Sequence, residues 1–353
     1  MKTAVEKREL LSVPVRPFDP TGMKSFSELL EGMRATAFQG RQLGEAFQVW
    51  KKMLASDCLI WMGLAGAMVP AGMRRLVVEV IRHRLIDCLV STGANLFHDL
   101  HETLGHRHYQ GSPDLDDVLL ASHMVDRMYD VLADEDEFRS HDRLIGHFAA
   151  SLEAGRPYTT REFLFRLGRF LCERAGDEGI LTAAARAGVP VYCPAIGDSS
   201  IGIGIAMHRQ MVGNRLMFDV IGDVLETARL ASSAPTAVVY FGGGTPKNFI
   251  QQTEVTLLNI GEQAEGHKYA IQIVTDAPHW GGLSGCTFQE AQSWGKIARD
   301  AHMVTCHCDS TIALPLLVTA LLEHKELIAR RRRPRFDLEG PELAVHWPEA
   351  GQG

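Results

Sequence analysis

No two cysteines of this 353-residue chain form a C-x-x-C pair, and no apolar run reaches the roughly 18–20 residues that span a bilayer. The seven cysteines are scattered at 58, 88, 172, 193, 286, 306 and 308, an odd number in a long chain. A disulfide framework is therefore not expected; reduced thiols in a cytoplasmic protein are. The amino-terminal stretch MKTAVEKRELLSVPVRPFDP lacks the apolar run of a signal peptide. Basic charge is not in excess either. With 36 Lys and Arg against 43 Asp and Glu, the formal net charge is -7, which argues against general nucleic-acid binding. There is no G-x-S-x-G elbow, no P-loop, no kinase signature, and no clean G-x-G-x-x-G opening a first βαβ unit. Serine hydrolases, NTPases and ordinary Rossmann dehydrogenases are set aside on that ground.

What is present is a strand-helix rhythm. A hydrophobic content of 46% suits a large globular chain. Residues 1–22 carry Pro14, Pro17 and Pro20 and read as an extended arm; residues 25–54 have helical spacing. Strands are expected at 58–66, 85–92, 189–195, 236–244, 269–275 and 303–308, with helices at 73–84, 247–260, 288–300 and 311–324. Residues 114–187 read as mostly helical, with breaks near Gly155-Arg156-Pro157 and Gly176. The fold class that follows is α/β: one doubly wound, mostly parallel sheet with helices on both faces and a helical insertion around 114–187. The organisation expected is an arm over 1–22, one domain over 23–326 and a tail over 327–353. The run RRRRPR (330–335) reads as a solvated edge.

Ligands of open α/β sheets sit beyond the carboxyl ends of the strands. Five loops there are rich in Gly, Ser or Thr: 64–72, 91–99, 194–202, 241–248 and 276–285. Any one could be plain punctuation between strand and helix. Five together suggest a nucleotide-sized ligand, because such loops let backbone N–H groups approach phosphates. The segment HETLGH (101–106) is not a zinc-protease motif. Its histidines are five apart, which turns their rings about 140° away from each other on a helix. His98 alone could line a pocket, and the other histidines of 98–108 are expected at the surface. Cys306 and Cys308 share a strand face, but two thiols do not close a zinc site. No metal is expected. On a helix over 288–300, Trp294 would be buried with Ala291, Ala298 and Ala301. Lys296, about 200° from Trp294, would be an ordinary surface lysine paired with Asp300.

Several blocks together carry a resemblance. SWGKI (293–297), with Glu290 before it and CDSTIALPLL (308–317) after it, is its strongest part. FGGG (241–244) followed by Lys247, CPAIGDSSIG (193–202), FDVIGDV (218–224) and LVSTGANL (89–96) stand in the same order and spacing. The chain resembles the deoxyhypusine synthase family from about Phe18 to about Glu323. The resemblance implies a Rossmann-like NAD-binding domain, assembled as a homotetramer with active sites at subunit interfaces. It implies NAD-dependent oxidation of spermidine and transfer of a 4-aminobutyl group to a lysine as an imine, with release of 1,3-diaminopropane and with the bound NADH reducing the final product. The group then passes to an acceptor amine: a lysine of a translation factor in deoxyhypusine synthase proper, or putrescine in the related homospermidine synthases. Lys296 matches the imine-forming lysine. Glu290, Trp294, Asp198, His98 and Asn248 fall at amine-substrate positions. Thr92, Gly93, Asp219, Gly243, Gly244, Ser284, Asp309 and Ser310 fall at or beside NAD-contacting segments. An interface site would also bury the face on which periodicity places Lys296.

The departures are informative. Two adjacent family glutamates are Phe97 and His98 here; a family aspartate is Ile203, another is Leu283, and a family histidine is Asn248. Each lost carboxylate removes roughly 1–3 kcal/mol of charge-assisted hydrogen bonding to a polycation. The expectation is imine chemistry retained on an altered set of amines, with a small acceptor such as putrescine. The alternatives are a protein lysine as acceptor, and a degenerate NAD-binding protein without transferase activity.

Overall fold

The structure is a computed structural model, and it describes residues 7–213 and 215–349. Six strands form its central sheet: β1 (Leu59–Leu64), β2 (Cys88–Ser91), β3 (Val191–Tyr192), β4 (Thr236–Phe241), β5 (His267–Ile273) and β6 (Ile297–Cys306). Their spatial order is β6-β5-β4-β1-β2-β3, and every neighbouring pair is parallel. β1, β2 and β4 are buried at every residue. Continuous apolar runs, rather than alternation, are what a sheet covered on both faces requires. Successive side chains still point to opposite faces. Ile60, Met62, Leu64, Val239 and Phe241 enter one core; Leu59, Trp61, Val238 and Tyr240 enter the other. The order reverses between β1 and β4, so a crevice opens beyond their carboxyl ends. No helix among the described residues is long and apolar enough to cross a membrane.

The strand assignments at 58–66, 85–92, 189–195 and 236–244 each contain an observed strand, and 269–275 overlaps β5. Residues 25–54 form two helices, Phe26–Arg34 and Phe38–Ala55, separated where Phe38 takes a φ of 55°. The 114–187 region is not purely helical. It holds a hairpin, Val125–Met128 with Val131–Asp134, joined by Tyr109–Gln110 into a small antiparallel sheet. The hairpin turn places Tyr129 at a φ of 58° without a glycine to announce it. Breaks do fall near 155–157 and 176, between Glu135–Ser151, Thr160–Cys172 and Ile180–Ala187.

The chain ends depart from simple surface segments. Residues 1–6 of the arm lie outside the described residues. Lys7–Leu10 is a helical turn, and the stretch after it stays exposed, with the Arg16 N–H donating to the Ala35 carbonyl. At the other end Arg331 is not solvated. It is 5% exposed, and it binds the carboxylate of the fully buried Asp87 together with the Cys58 and Arg84 carbonyls. The strands Arg335–Asp337 and Ala344–His346 pair beyond it, and Phe336, Val345 and Trp347 pack on the second core.

Candidate active site

The helix expected over 288–300 stops at Ser293. Thr287 caps its start by accepting from the Glu290 N–H. At its end Gly295 takes a φ of 71°, the left-handed region that terminates helices, and β6 begins at Ile297. Lys296 therefore lies in the turn between helix and strand, and the helical-wheel placement opposite Trp294 does not hold. The Lys296 N–H donates to the Ala291 carbonyl, and its own carbonyl accepts from the His267 N–H at the start of β5. β6 is also longer than expected: its register carries three surplus residues, since His267 faces Ile297 while Tyr269 faces His302.

The Lys296 side chain is half-buried. Its Nζ is 3.4 Å from Asn248 Oδ1 and 5.4 Å from the centroid of the Trp294 ring. Trp294 is 65% exposed, not buried. An indole face beside an ammonium group is a cation–π arrangement. Exposed Leu258 and Leu283 lie on neighbouring segments, and Leu258 is the nearest side chain to Gly295.

A second lysine, given no chemical role by the sequence, stands behind Lys296. Lys247 is fully buried; its Nζ donates to Gln272 Oε1 at 2.8 Å and to the Cys286 carbonyl at 2.5 Å. Desolvation, the largest cause, pushes its pKa down to about 8. The Lys296 charge acts in the same direction, while Cys286 and Glu290 oppose it. Burial pushes the Cys286 thiol up against the charges of Lys247 and Lys296. Lys247, Cys286, Glu290 and Lys296 thus feel one another's charges within one patch. Its signal in the sequence was a lysine three residues past a glycine run that ends a buried strand.

The glycine loop after β4 closes this group from above. A Cβ on Gly243 would lie 2.5 Å from Ser284 Cα, and the Gly244 N–H donates to Ser284 Oγ at 3.1 Å. Gln272 Nε2 binds the Gly242 and Ser284 carbonyls, so β4, β5 and the 282–287 segment are tied together. The loops after β2 and β3 meet in the same way. A Cβ on Gly93 would come 2.3 Å from Ser199 Oγ, and Asn95 bridges Thr92, Gly66 and Val69. Asp198, beside Ser199, is exposed. The helices Gly93–Thr103 and Gly244–Asn259 begin with no side-chain bond from their N-cap residues, although the Gly244 N–H is taken by Ser284 Oγ; helix starts of this kind suit an anion such as a pyrophosphate.

Other expected positions stand apart from Lys296. Asp219 caps Val220–Ala231 through the Gly222 N–H at 2.7 Å. Asp309 caps Ser310–Leu322, accepting from the Thr311 N–H and hydroxyl, with Ser310 nearly buried behind it. Both caps explain an aspartate without any cofactor, although one oxygen of each carboxylate is left for a further donor. His98 belongs to a separate group: its Nδ1 is 2.9 Å from His108 Nε2, and His108 Nδ1 is 2.7 Å from Glu102.

That group corrects the placement of the histidines at the surface. His101 and His141 are buried, and the His101 and His106 rings stack 5.3 Å apart. The 140° divergence fails because the helix ends at Thr103 and Gly105, at a φ of 96°, folds the chain back. Burial first, and neighbouring histidines second, push His98 and His141 down to about 3. Among the described residues no group of three or more His, Cys, Asp or Glu is arranged to hold a metal. Cys306 ends β6 and is buried, whereas Cys308 lies past the strand and is half-buried.

Comparison with known proteins follows the same segments. The family model of deoxyhypusine synthase matches residues 28–321. A Methanosarcina mazei protein named probable deoxyhypusine synthase 2 is 51% identical over 335 residues, covering 94% of this chain and 96% of that one. An Archaeoglobus fulgidus protein of the same name is 47% identical over 307 residues, covering 86% and 99%. A crystal structure of an Entamoeba histolytica protein bearing the family name matches with a TM-score of 0.63 at 17% identity, covering 88% of this chain and 98% of that one. The last of these speaks to the fold alone.

Proposed function

Because this chain belongs to the deoxyhypusine synthase family, we propose that it transfers an aminobutyl group from a spermidine-type donor through an imine on Lys296. The observation that carries this reading is the setting of Lys296: an amine 3.4 Å from Asn248 and beside the exposed face of Trp294, next to the Lys247–Cys286–Glu290 patch. A free amine attacks an iminium carbon, and a carboxylate and an indole face suit the cationic donor. Glu290 and Trp294 hold the donor in this reading. Asp198 holds its far end.

NAD suits the loops as the hydride-accepting group. Gly243 and Gly93 leave no room for a side chain, and the two helices that start beyond β2 and β4 have no side-chain bond from their N-cap residues. Thr92, Gly93, Gly243, Gly244 and Ser284 would hold it there, with Asp219, Asp309 and Ser310 at its margins. A homotetramer with Lys296 at a subunit interface accounts for the exposure of Trp294. A cytoplasmic location agrees with this chemistry.

For the acceptor, the reading favoured by the names of the relatives is a lysine of the hypusine-carrying translation factor. A second reading, putrescine as in homospermidine synthases, is favoured by the pocket. Ile203 and Leu283 are exposed apolar residues, and Phe97 is buried against Phe138, where the family resemblance expects carboxylates. Both are tested together. The chain is incubated with NAD and labelled spermidine, then with the translation factor or with putrescine. Borohydride should trap label on Lys296 in either case, and the labelled product names the acceptor. No adduct on Lys296 with spermidine or related di- and polyamines sinks both readings and leaves a non-catalytic NAD-binding protein.

A further inference from the structure

An arginine-lined cleft opens at the opposite edge of the sheet from the strand-end loops. It has a volume of about 760 Å³ and takes in Arg82, Arg84, Arg330, Arg332, Arg333 and Arg335. Asp57 and Asp87, which stand just before β1 and β2, fix its position at the amino ends of those strands. Six residues of β1 put about 20 Å between that edge and the crevice above.

The arginines are held in place rather than scattered on a mobile tail. Arg331 anchors the segment through Asp87 and the Cys58 carbonyl, and Arg84 binds the Pro334 and Ala187 carbonyls. Arg332 binds the Pro348 carbonyl and Asp57. Arg84 and Arg332 lie over the rings of Phe336 and Trp347. In a chain with a net charge of -7, seven arginines gather here; Arg82 pairs with Glu79 and Glu178, Arg330 with Glu326, Arg332 with Asp57, and Arg84 and Arg331 with Asp87. Arg333 and Arg335 make no ion pair and no side-chain hydrogen bond among the described residues. Burial, followed by the charges of Arg84 and Arg331, works against the Arg333 charge. Concentrating like charges in a half-closed cleft is unfavourable without a counter-charge.

We propose that this cleft binds a small ligand carrying two or more linked phosphates. Guanidinium forks match phosphate oxygens in pairs, which ammonium groups do not, and the cluster is all arginine. The cleft is concave and has the size of a small-molecule site. A nucleic acid would instead call for an extended basic track, and the rest of this chain is acidic. The site is separate from the Lys296 chemistry, so the two readings stand or fall independently.

The probe is inorganic tripolyphosphate, titrated calorimetrically into the full chain at low and at physiological salt. Saturable binding that weakens as salt rises is expected. Arg333→Gln with Arg335→Gln should weaken it at least tenfold, and Arg333→Lys with Arg335→Lys should fall between. These two side chains make no ion pair and no side-chain hydrogen bond among the described residues, so the variants should melt close to the parent; Arg330→Gln is the second variant if they do not. Absence of binding at low salt, or equal affinity in the parent and both glutamine variants, overturns the proposal. A single-stranded RNA bound more tightly than tripolyphosphate through the same arginines also overturns it, in favour of a nucleic-acid site.

Discussion

Replacing His141 with leucine should make the protein less sensitive to acid. His141 is 2% exposed, its ring meets Phe97, His101 and His106 edge-on, and its Nδ1 has no partner. Its pKa of about 3 in the folded chain lies far below the ordinary value of 6.5. The unfolded chain therefore binds a proton on acidification that the folded chain refuses. The contribution to stability is intact above pH 6.5 and is lost as pH falls towards 3. From pH 7 to pH 5 that loss is about 2 kcal/mol for this one ring, and any folded value below 4 gives the same figure. At pH 7 the substitution should cost little, since it removes an unpaired buried nitrogen along with ring contacts. Whole-protein stability blurs the effect. Asp142 and Asp223 are pushed up by burial to about 6, so their protonation on the way to pH 5 acts the other way. The difference between parent and variant removes that background. Urea unfolding at pH 7 and pH 5 should show the gap shifting by about 2 kcal/mol in favour of His141→Leu. A gap that is the same at both pH values would refute a neutral buried His141.

Lys296→Ala should abolish borohydride-trapped label while shifting the urea midpoint hardly at all, because only its side chain is lost; a large drop in stability would contradict its placement. Gly243→Ala should cut NAD affinity at least tenfold, measured by calorimetry, since the added Cβ meets Ser284 Cα at 2.5 Å and pushes two loops apart. Asp87→Ala should destabilise the fold by about 3–5 kcal/mol in urea unfolding, because it leaves the buried Arg331 and its neighbour Arg84 without their shared carboxylate. Asp87→Ala within 1 kcal/mol of the parent would mean that water reaches Arg331.

The sheet was legible because both of its faces are covered. LIWMGL and AVVYF carry no polar side chain other than the Tyr240 hydroxyl, each is followed shortly by a glycine, and no competing period obscures them. The site loops were legible for the same reason, being glycine-rich at strand ends. Lys296 was misplaced by an assumption of continuity. A helical wheel drawn through Gly295 ignores the residue best suited to end a helix. The histidines and Arg331 were misplaced because what buries them is distant in sequence: Phe138 and His141 for His101, and Asp87 for Arg331. Periodicity reports the element that a residue sits on and is blind to what another segment lays across it.

Position 296 is held from both sides by main-chain bonds, to the Ala291 carbonyl and from the His267 N–H, and its side chain adds only the contacts to Asn248 and the Trp294 ring. Any residue but proline, which lacks the N–H, keeps those two main-chain bonds and the turn from helix to strand. Selection for folding therefore places little restraint on this lysine, and if it forms the proposed imine, selection for chemistry is what keeps it. A lineage released from that demand could then lose the lysine in one step and keep an intact protein. The identity of residue 296 is thus a record of use, legible across descendants of this gene in a way that the buried residues around it are not.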